Sequence, residues 1–153
     1  NLDIPVKRAA EYIKLYFDRY PGVKAYLDRS VEDAKRTGYA VTMFDRRRAM
    51  LELKSSNFNT RSFGERVAMN MPIQGTAADI IKLVMVKVSE KLKERGLKTK
   101  LILQVHDELI FDTPSAEVEE VVALVHDCME HVASLSVELD ADVKVGHSWY
   151  ETK

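Results

Sequence analysis

Two short apolar runs, Leu101–Val105 and Leu109–Phe111, are separated by only three residues, His106-Asp107-Glu108. A connection this short can only join antiparallel neighbours, because a parallel crossover needs a dozen residues or more. Stretches with helical spacing lie on both sides of this pair. The sequence therefore predicts an α+β fold, in which an antiparallel sheet with a central acidic β-hairpin is backed by helices.

The first 38 residues predict two helices. Apolar residues recur at intervals of three and four after Pro5, and Pro21-Gly22 interrupts the pattern. A second apolar face runs through Ala34 and ends at Gly38. On the first helix we expect the tyrosines to belong to the core rather than to a stacking platform: Tyr12, Tyr16 and Tyr20.

The middle of the chain predicts a basic hairpin. Strands are expected at residues 39–44 and 49–53, around the charged turn Asp45-Arg46-Arg47-Arg48. The arginines of this turn could contact phosphate or form an ordinary solvated surface, and the sequence leaves both open.

A helix is expected at about residues 60–70, followed by a bend, because Pro72 disfavours helical backbone at Met71. Thr76 with Asp79 fits a capping box, which predicts a new helix from there to Gly96.

The C-terminal region predicts one more helix and one more strand. Thr113-Pro114 opens a helix whose apolar face extends to Val132. From Val137 to Val145, apolar and polar residues alternate, which predicts a final strand with one solvated face.

Charge and cysteine content narrow the class of protein. Residues 1–70 contain 14 Lys and Arg against 9 Asp and Glu, and residues 71–153 contain 9 against 15. A basic half suits a polyanion, although scattered surface charge gives the same count. The single cysteine, Cys128, predicts a cytoplasmic protein, and no run is apolar and long enough for a membrane span. The chain opens on Asn1 with no leader pattern, so we expect a segment of something longer.

The acidic hairpin is the first candidate site. Its turn lacks the Gly or Asn that a two-residue hairpin prefers, so His106 and Asp107 are expected to hold a strained backbone. Such a tip could present a rigid metal ligand, or it could be a plain polar turn between core strands. One or two carboxylates do not complete a Mg²⁺ site, so other oxygens would have to join them.

A second candidate site is a polar row with a spacing of four, Arg66, Asn70 and Gln74. Arg offers a planar fork for phosphate, and Asn and Gln can donate to base edges. The alternative is structural: Asn70 would cap a helix end, and Arg66 would pair with a carboxylate.

Four stretches resemble family A DNA polymerases, the DNA polymerase I type. Residues 104–108 resemble the third signature motif of that family, and residues 61–82 resemble the segment before it. Residues 16–23 and 146–150 also resemble the family, and its Gram-positive, Bacillus-like members most closely. The similarity runs the whole length of the chain.

The resemblance implies a fold, partners and residue roles. It implies the C-terminal part of a polymerase domain, with the helical end of the fingers at 1–38 and palm at 39–153. It implies DNA-directed DNA synthesis with Mg²⁺ as the cofactor. The implied partners are primer–template DNA, deoxynucleoside triphosphates and the upstream remainder of the polymerase. The implied catalytic residues are Asp107, which ligates the metal, Glu108 beside it, and His106 near the primer end; the implied DNA contacts are Arg66, Asn70, Gln74 and His106.

The resemblance also implies which parts of the polymerase lie outside this chain. The family's first metal-binding aspartate and its nucleotide-binding helix are expected upstream of this chain. We therefore expect the 153 residues to be inactive alone and to self-associate through unpaired palm strands. Two other functions stay open: a DNA-binding module without catalysis, and a stand-alone metal-dependent phosphohydrolase that uses Asp107 and Glu108.

Overall fold

The computed structural model describes residues 4–152. The chain folds as two compact units, Asn1–Thr76 and Ala77–Lys153, which we describe separately. The predicted assignment of residues 1–38 to the fingers and 39–153 to the palm divides the chain at a different position from these two units, and it stays a prediction. Residues 1–3 and 153, at the ends of that assignment, lie outside the described part.

The two predicted N-terminal helices are confirmed. Helix α1 spans Val6–Arg19 and α2 spans Pro21–Thr37. Gly38 ends α2 in the left-handed region, with φ of 82°. This conformation costs glycine little because it has no β-carbon.

The prediction of core tyrosines on α1 was wrong. No residue of α1 is buried, and the three rings are about half exposed. The side of α1 that lines the groove against α2 carries other residues, Ala10, Ile13 and Phe17. Ile13 is itself 58% exposed, so among residues 4–152 no side of α1 is buried, and these tyrosines are exposed with the rest of the helix: Tyr12, Tyr16 and Tyr20.

The basic hairpin is present, but its strands are shorter than expected and the second begins two residues earlier, so Arg47 and Arg48 lie in a strand and not in the turn. Strand β1 (Tyr39–Val41) pairs antiparallel with β2 (Arg47–Ala49). Where a longer second strand was expected, the chain forms a 3₁₀ turn at Leu51–Lys54. Met50 and Leu53 are both buried, and a helical turn places residues three apart on the same side, whereas a strand would place them on opposite sides.

The predicted break at Pro72 was wrong. Helix α3 is continuous over Phe58–Glu94, so Thr76 and Asp79 lie inside it and form no capping box. The Thr76 hydroxyl instead donates to the Pro72 carbonyl and accepts from the Met43 backbone N–H at 3.0 Å. Ala68 and its neighbours pack into the core of the first unit, and this packing outweighs the hydrogen bond that proline removes.

The second unit contains the acidic hairpin. Strand β3 (Lys100–Val105) pairs antiparallel with β4 (Glu108–Asp112), and α4 spans Val118–His131 after a 3₁₀ turn at Ser115–Glu117. The core consists of apolar residues from α3 and α4, with Leu109 and Phe111 packed against them. Its buried members are Val84, Val88, Leu92, Val121, Leu124, Val125 and Cys128.

The predicted final strand was wrong. Residues 138–146 are in no regular element, although Leu139, Ala141 and Val143 are partly buried and alternate with exposed neighbours. The segment therefore keeps the exposure pattern of a strand. A strand also needs a hydrogen-bonded neighbour, and within residues 4–152 none pairs with it.

Candidate active site

The tip of the acidic hairpin is a two-residue turn. Val105 pairs with Glu108, which leaves His106 and Asp107 as the loop. His106 has φ of 54°, whereas φ of Asp107 is not positive. This pattern of signs is found in type II′ turns, whose first position is normally glycine. The expectation of strained backbone at His106 is confirmed, and the expectation for Asp107 is not.

The turn projects its polar side chains into solvent. His106, Asp107 and Glu108 are all exposed. Within residues 4–152, neither carboxylate takes part in a hydrogen bond or an ion pair. Both are therefore available to a ligand.

The donor chemistry of this tip fits one part of a divalent-cation site. Carboxylate oxygens are the ligands that Mg²⁺ prefers, and it needs about six oxygens in octahedral geometry. In the described part of the chain, no group of three His, Cys, Asp or Glu side chains could hold a metal. Asp107 and Glu108 could thus contribute ligands, and the remaining oxygens would have to come from elsewhere.

Two sets of contacts fix the hairpin in the second unit. On one side, Leu109 and Phe111 pack against the core. At the start of β3, the Glu117 carboxylate accepts hydrogen bonds from the backbone N–H groups of Lys98 and Thr99 at 2.9 and 3.0 Å and from the Thr99 hydroxyl at 2.8 Å. These bonds, the one from the Lys98 N–H first, lower the pKa of Glu117 below its usual value of 4.5.

The polar row lies on α3 in the first unit. Arg66, Asn70 and Gln74 line one side of the helix, and because α3 continues through Pro72 they form one row of about 12 Å. Asn70 and Gln74 are exposed. The Arg66 guanidinium donates to the Ser62 hydroxyl at 3.2 Å. Asn70 lies inside the helix, so the structural alternative, in which Asn70 caps a helix end, was wrong.

The other candidates have local partners. His126 faces Glu130 and His131 faces Asp127, each at 3.4 Å, so the two histidines belong to separate pairs. In the basic hairpin, Arg48 lies 3.3 Å from Glu52.

Sequence reasoning gave no role to two polar residues that shape the hairpin, Gln104 and Glu117. The Gln104 side-chain amide donates to the His106 carbonyl at 3.0 Å. The available signal was the presence of a single amide in the otherwise apolar run of β3. For Glu117 the sequence carried no signal, because its partners lie 18 and 19 residues away.

Comparison with known proteins supports the resemblance. A family model described as DNA polymerase family A matches residues 1–151. DNA polymerase I of Bacillus subtilis is 52% identical over the whole chain, and that of Geobacillus stearothermophilus is 50% identical. The chain spans only 17% and 18% of those two proteins.

A solved structure gives the same result for the fold. The POL domain of Pol1 from M. smegmatis, in complex with DNA primer–template and dNTP, superposes with a TM-score of 0.95 at 42% identity. The match covers 99% of this chain and 27% of that one. Across residues 4–152, no helix combines the length and apolarity needed to cross a membrane. On the match to the family model and on these identities, the chain belongs to DNA polymerase family A.

Proposed function

We propose that this chain is part of a longer DNA-directed DNA polymerase and contributes to its template-directed synthesis of DNA. The observation that carries the proposal is the exposed, unengaged Asp107 carboxylate at the tip of a short hairpin, within a chain that belongs to family A. The relatives are several times longer than this chain, which supports its working as one part of a larger polypeptide. We propose that it acts in DNA replication and repair, and that it does so in the cytoplasm.

In this proposal Asp107 holds Mg²⁺, Glu108 lies beside it and His106 lies near the primer end. A bound Mg²⁺ supplies Lewis-acid stabilisation of phosphoryl charge. The chain's own contribution is to present the carboxylate from a two-residue turn, next to a strand whose Leu109 packs against the core.

The polar row on α3 is proposed to bind primer–template DNA. The M. smegmatis relative, whose structure contains primer–template and dNTP, supports primer–template as a partner of the complete polypeptide. Asn70 and Gln74 can donate to the minor-groove acceptors that every base pair offers, so they suit recognition of duplex shape. Arg66 can contact phosphate.

The test is primer extension by the complete polypeptide that carries this sequence, with a defined template and all four deoxynucleoside triphosphates. We expect templated, Mg²⁺-dependent extension. The 153 residues alone should bind DNA weakly, show no extension and self-associate in sedimentation. Extension by the isolated chain, or a complete polypeptide without templated synthesis, would contradict the proposal.

A DNA-binding module without catalysis is the second candidate. It is favoured by the lack, within the described residues, of a third metal ligand near Asp107 and Glu108. The same absence argues against a stand-alone phosphohydrolase. Primer extension separates the two remaining functions, because a binding module would bind primer–template and would never extend it.

A further inference from the structure

The backbone at His106 has a positive φ, a conformation that histidine tolerates better than most non-glycine residues but still at some cost. Among the described non-glycine residues, only Asp45 and His106 have positive φ. A bulky side chain in this region is disfavoured by contacts with its own backbone, so the conformation persists only where surrounding contacts enforce it.

One side chain supplies such a contact. Gln104 lies on β3 opposite Leu109, two residues before the turn, and its amide nitrogen donates to the His106 carbonyl at 3.0 Å. In the part of the hairpin that the structure describes, this is the one side-chain hydrogen bond between positions 100 and 112.

The bonded carbonyl belongs to the peptide unit that joins His106 to Asp107. A peptide unit is planar, so fixing its oxygen also fixes the direction of the Asp107 N–H and of the bond to the Asp107 α-carbon. A neutral amide does this without adding a positive charge that would compete with a metal cation for the carboxylate.

We propose that Gln104 is a positioning residue for Asp107, an inference that rests on the proposed function above. Its amide holds the His106–Asp107 peptide in one orientation, and this narrows the directions in which the Asp107 carboxylate can be presented to the metal. Some groups hold a metal-binding residue in position without touching the metal. Their removal typically lowers metal affinity or activity by about 10- to 100-fold.

The test uses the complete polymerase with Gln104→Met, which keeps the length of the side chain and removes the donor. Ile102→Met is the matched control, because Ile102 lies on the same strand and is also exposed. Three quantities are measured: primer–template affinity, the single-turnover incorporation rate at saturating primer–template, and Mn²⁺ binding. Mn²⁺ is counted by electron paramagnetic resonance in a complex with a dideoxy-terminated primer and the next dNTP.

If Gln104 positions Asp107, Gln104→Met slows single-turnover incorporation about tenfold and weakens Mn²⁺ binding, while DNA affinity stays within about twofold. Ile102→Met leaves all three unchanged. An unchanged rate overturns the inference. Weaker DNA binding with a normal rate and normal Mn²⁺ binding also overturns it, and makes Gln104 a DNA contact.

Failure of this inference differs from failure of the proposed function. A wild-type polymerase that extends primers, with a Gln104→Met variant that does so equally well, refutes only the role of Gln104. A wild-type protein without templated synthesis refutes the function itself. Thermal unfolding of both variants within about 2 °C of wild type excludes a general loss of folding.

Discussion

Gly75 on α3 faces Thr42 so closely that a β-carbon at position 75 would lie 2.6 Å from Thr42 Cγ2. Thr42 is itself buried, and its hydroxyl accepts from the backbone N–H groups of Phe44 and Arg46. The contact therefore joins the turn end of the basic hairpin to the helix that carries the polar row.

Gly75→Ala should destabilise the protein by about 1–3 kcal/mol, because the added methyl overlaps a buried group that cannot move away freely. Urea unfolding measures the change. Gly22→Ala is the control, since nothing lies within 4 Å of its added β-carbon. In a helix this substitution should be neutral or slightly stabilising.

The double variant Thr42→Ser with Gly75→Ala identifies the cause. Serine keeps the hydroxyl that Phe44 and Arg46 need and removes the methyl that clashes. Stability should recover by most of the loss. A double variant as unstable as Gly75→Ala would mean that the overlap with Thr42 is not responsible.

Asp107→Asn in the complete polymerase should reduce turnover roughly a thousandfold or more and leave DNA affinity nearly unchanged, because it removes the charge that holds Mg²⁺. Glu108→Gln should cost less, because in the proposed function Glu108 lies beside the metal that Asp107 holds. Single-turnover incorporation at saturating primer–template separates the two steps. Near-normal incorporation by Asp107→Asn would make the tip a plain polar turn.

Replacing the polar row should weaken primer–template binding. Arg66→Ala, and more modestly Asn70→Ala and Gln74→Ala, should each cost on the order of 1–3 kcal/mol. Arg66→Ala should also flatten the salt dependence of binding if it contacts phosphate. Arg36→Ala removes an exposed charge paired with Asp33 and serves as the control. Unchanged primer–template affinity in all three variants would mean that these three residues have a structural role.

The stabilising contribution of Glu117 to the free energy of unfolding should be lost in acid. Its pKa is lowered in the folded state, so its contribution is fully present above the usual pKa of 4.5 and is lost as the pH falls through the folded pKa. Glu117→Gln should lower the melting temperature at neutral pH and reduce its decline in acid. Glu94→Gln changes an exposed carboxylate that has no hydrogen bond among residues 4–152 and should do neither. Parallel acid profiles for Glu117→Gln and wild type would refute the assignment.

Local pattern determined much of this protein. The three-residue separation of two apolar runs was enough for the antiparallel hairpin, and Pro21 and Gly38 were enough for the helix ends. The motif around Asp107, together with residues 61–82, was enough for the family, because the residues of each motif are contiguous in sequence. The roles of Asp107 and of the polar row remain predictions.

Tertiary structure decided what local pattern could not. Pro72 lies inside a helix because burial of Ala68 and packing at Gly75 outweigh a local preference of limited size. Residues 138–146 form no strand, because a strand requires a partner that its own sequence cannot supply. The bond from Gln104 to the His106 carbonyl likewise depended on a turn conformation that only the folded hairpin fixes. The spacing of apolar residues shows which side of a helix or strand is apolar, and tertiary packing determines which residues that side contacts.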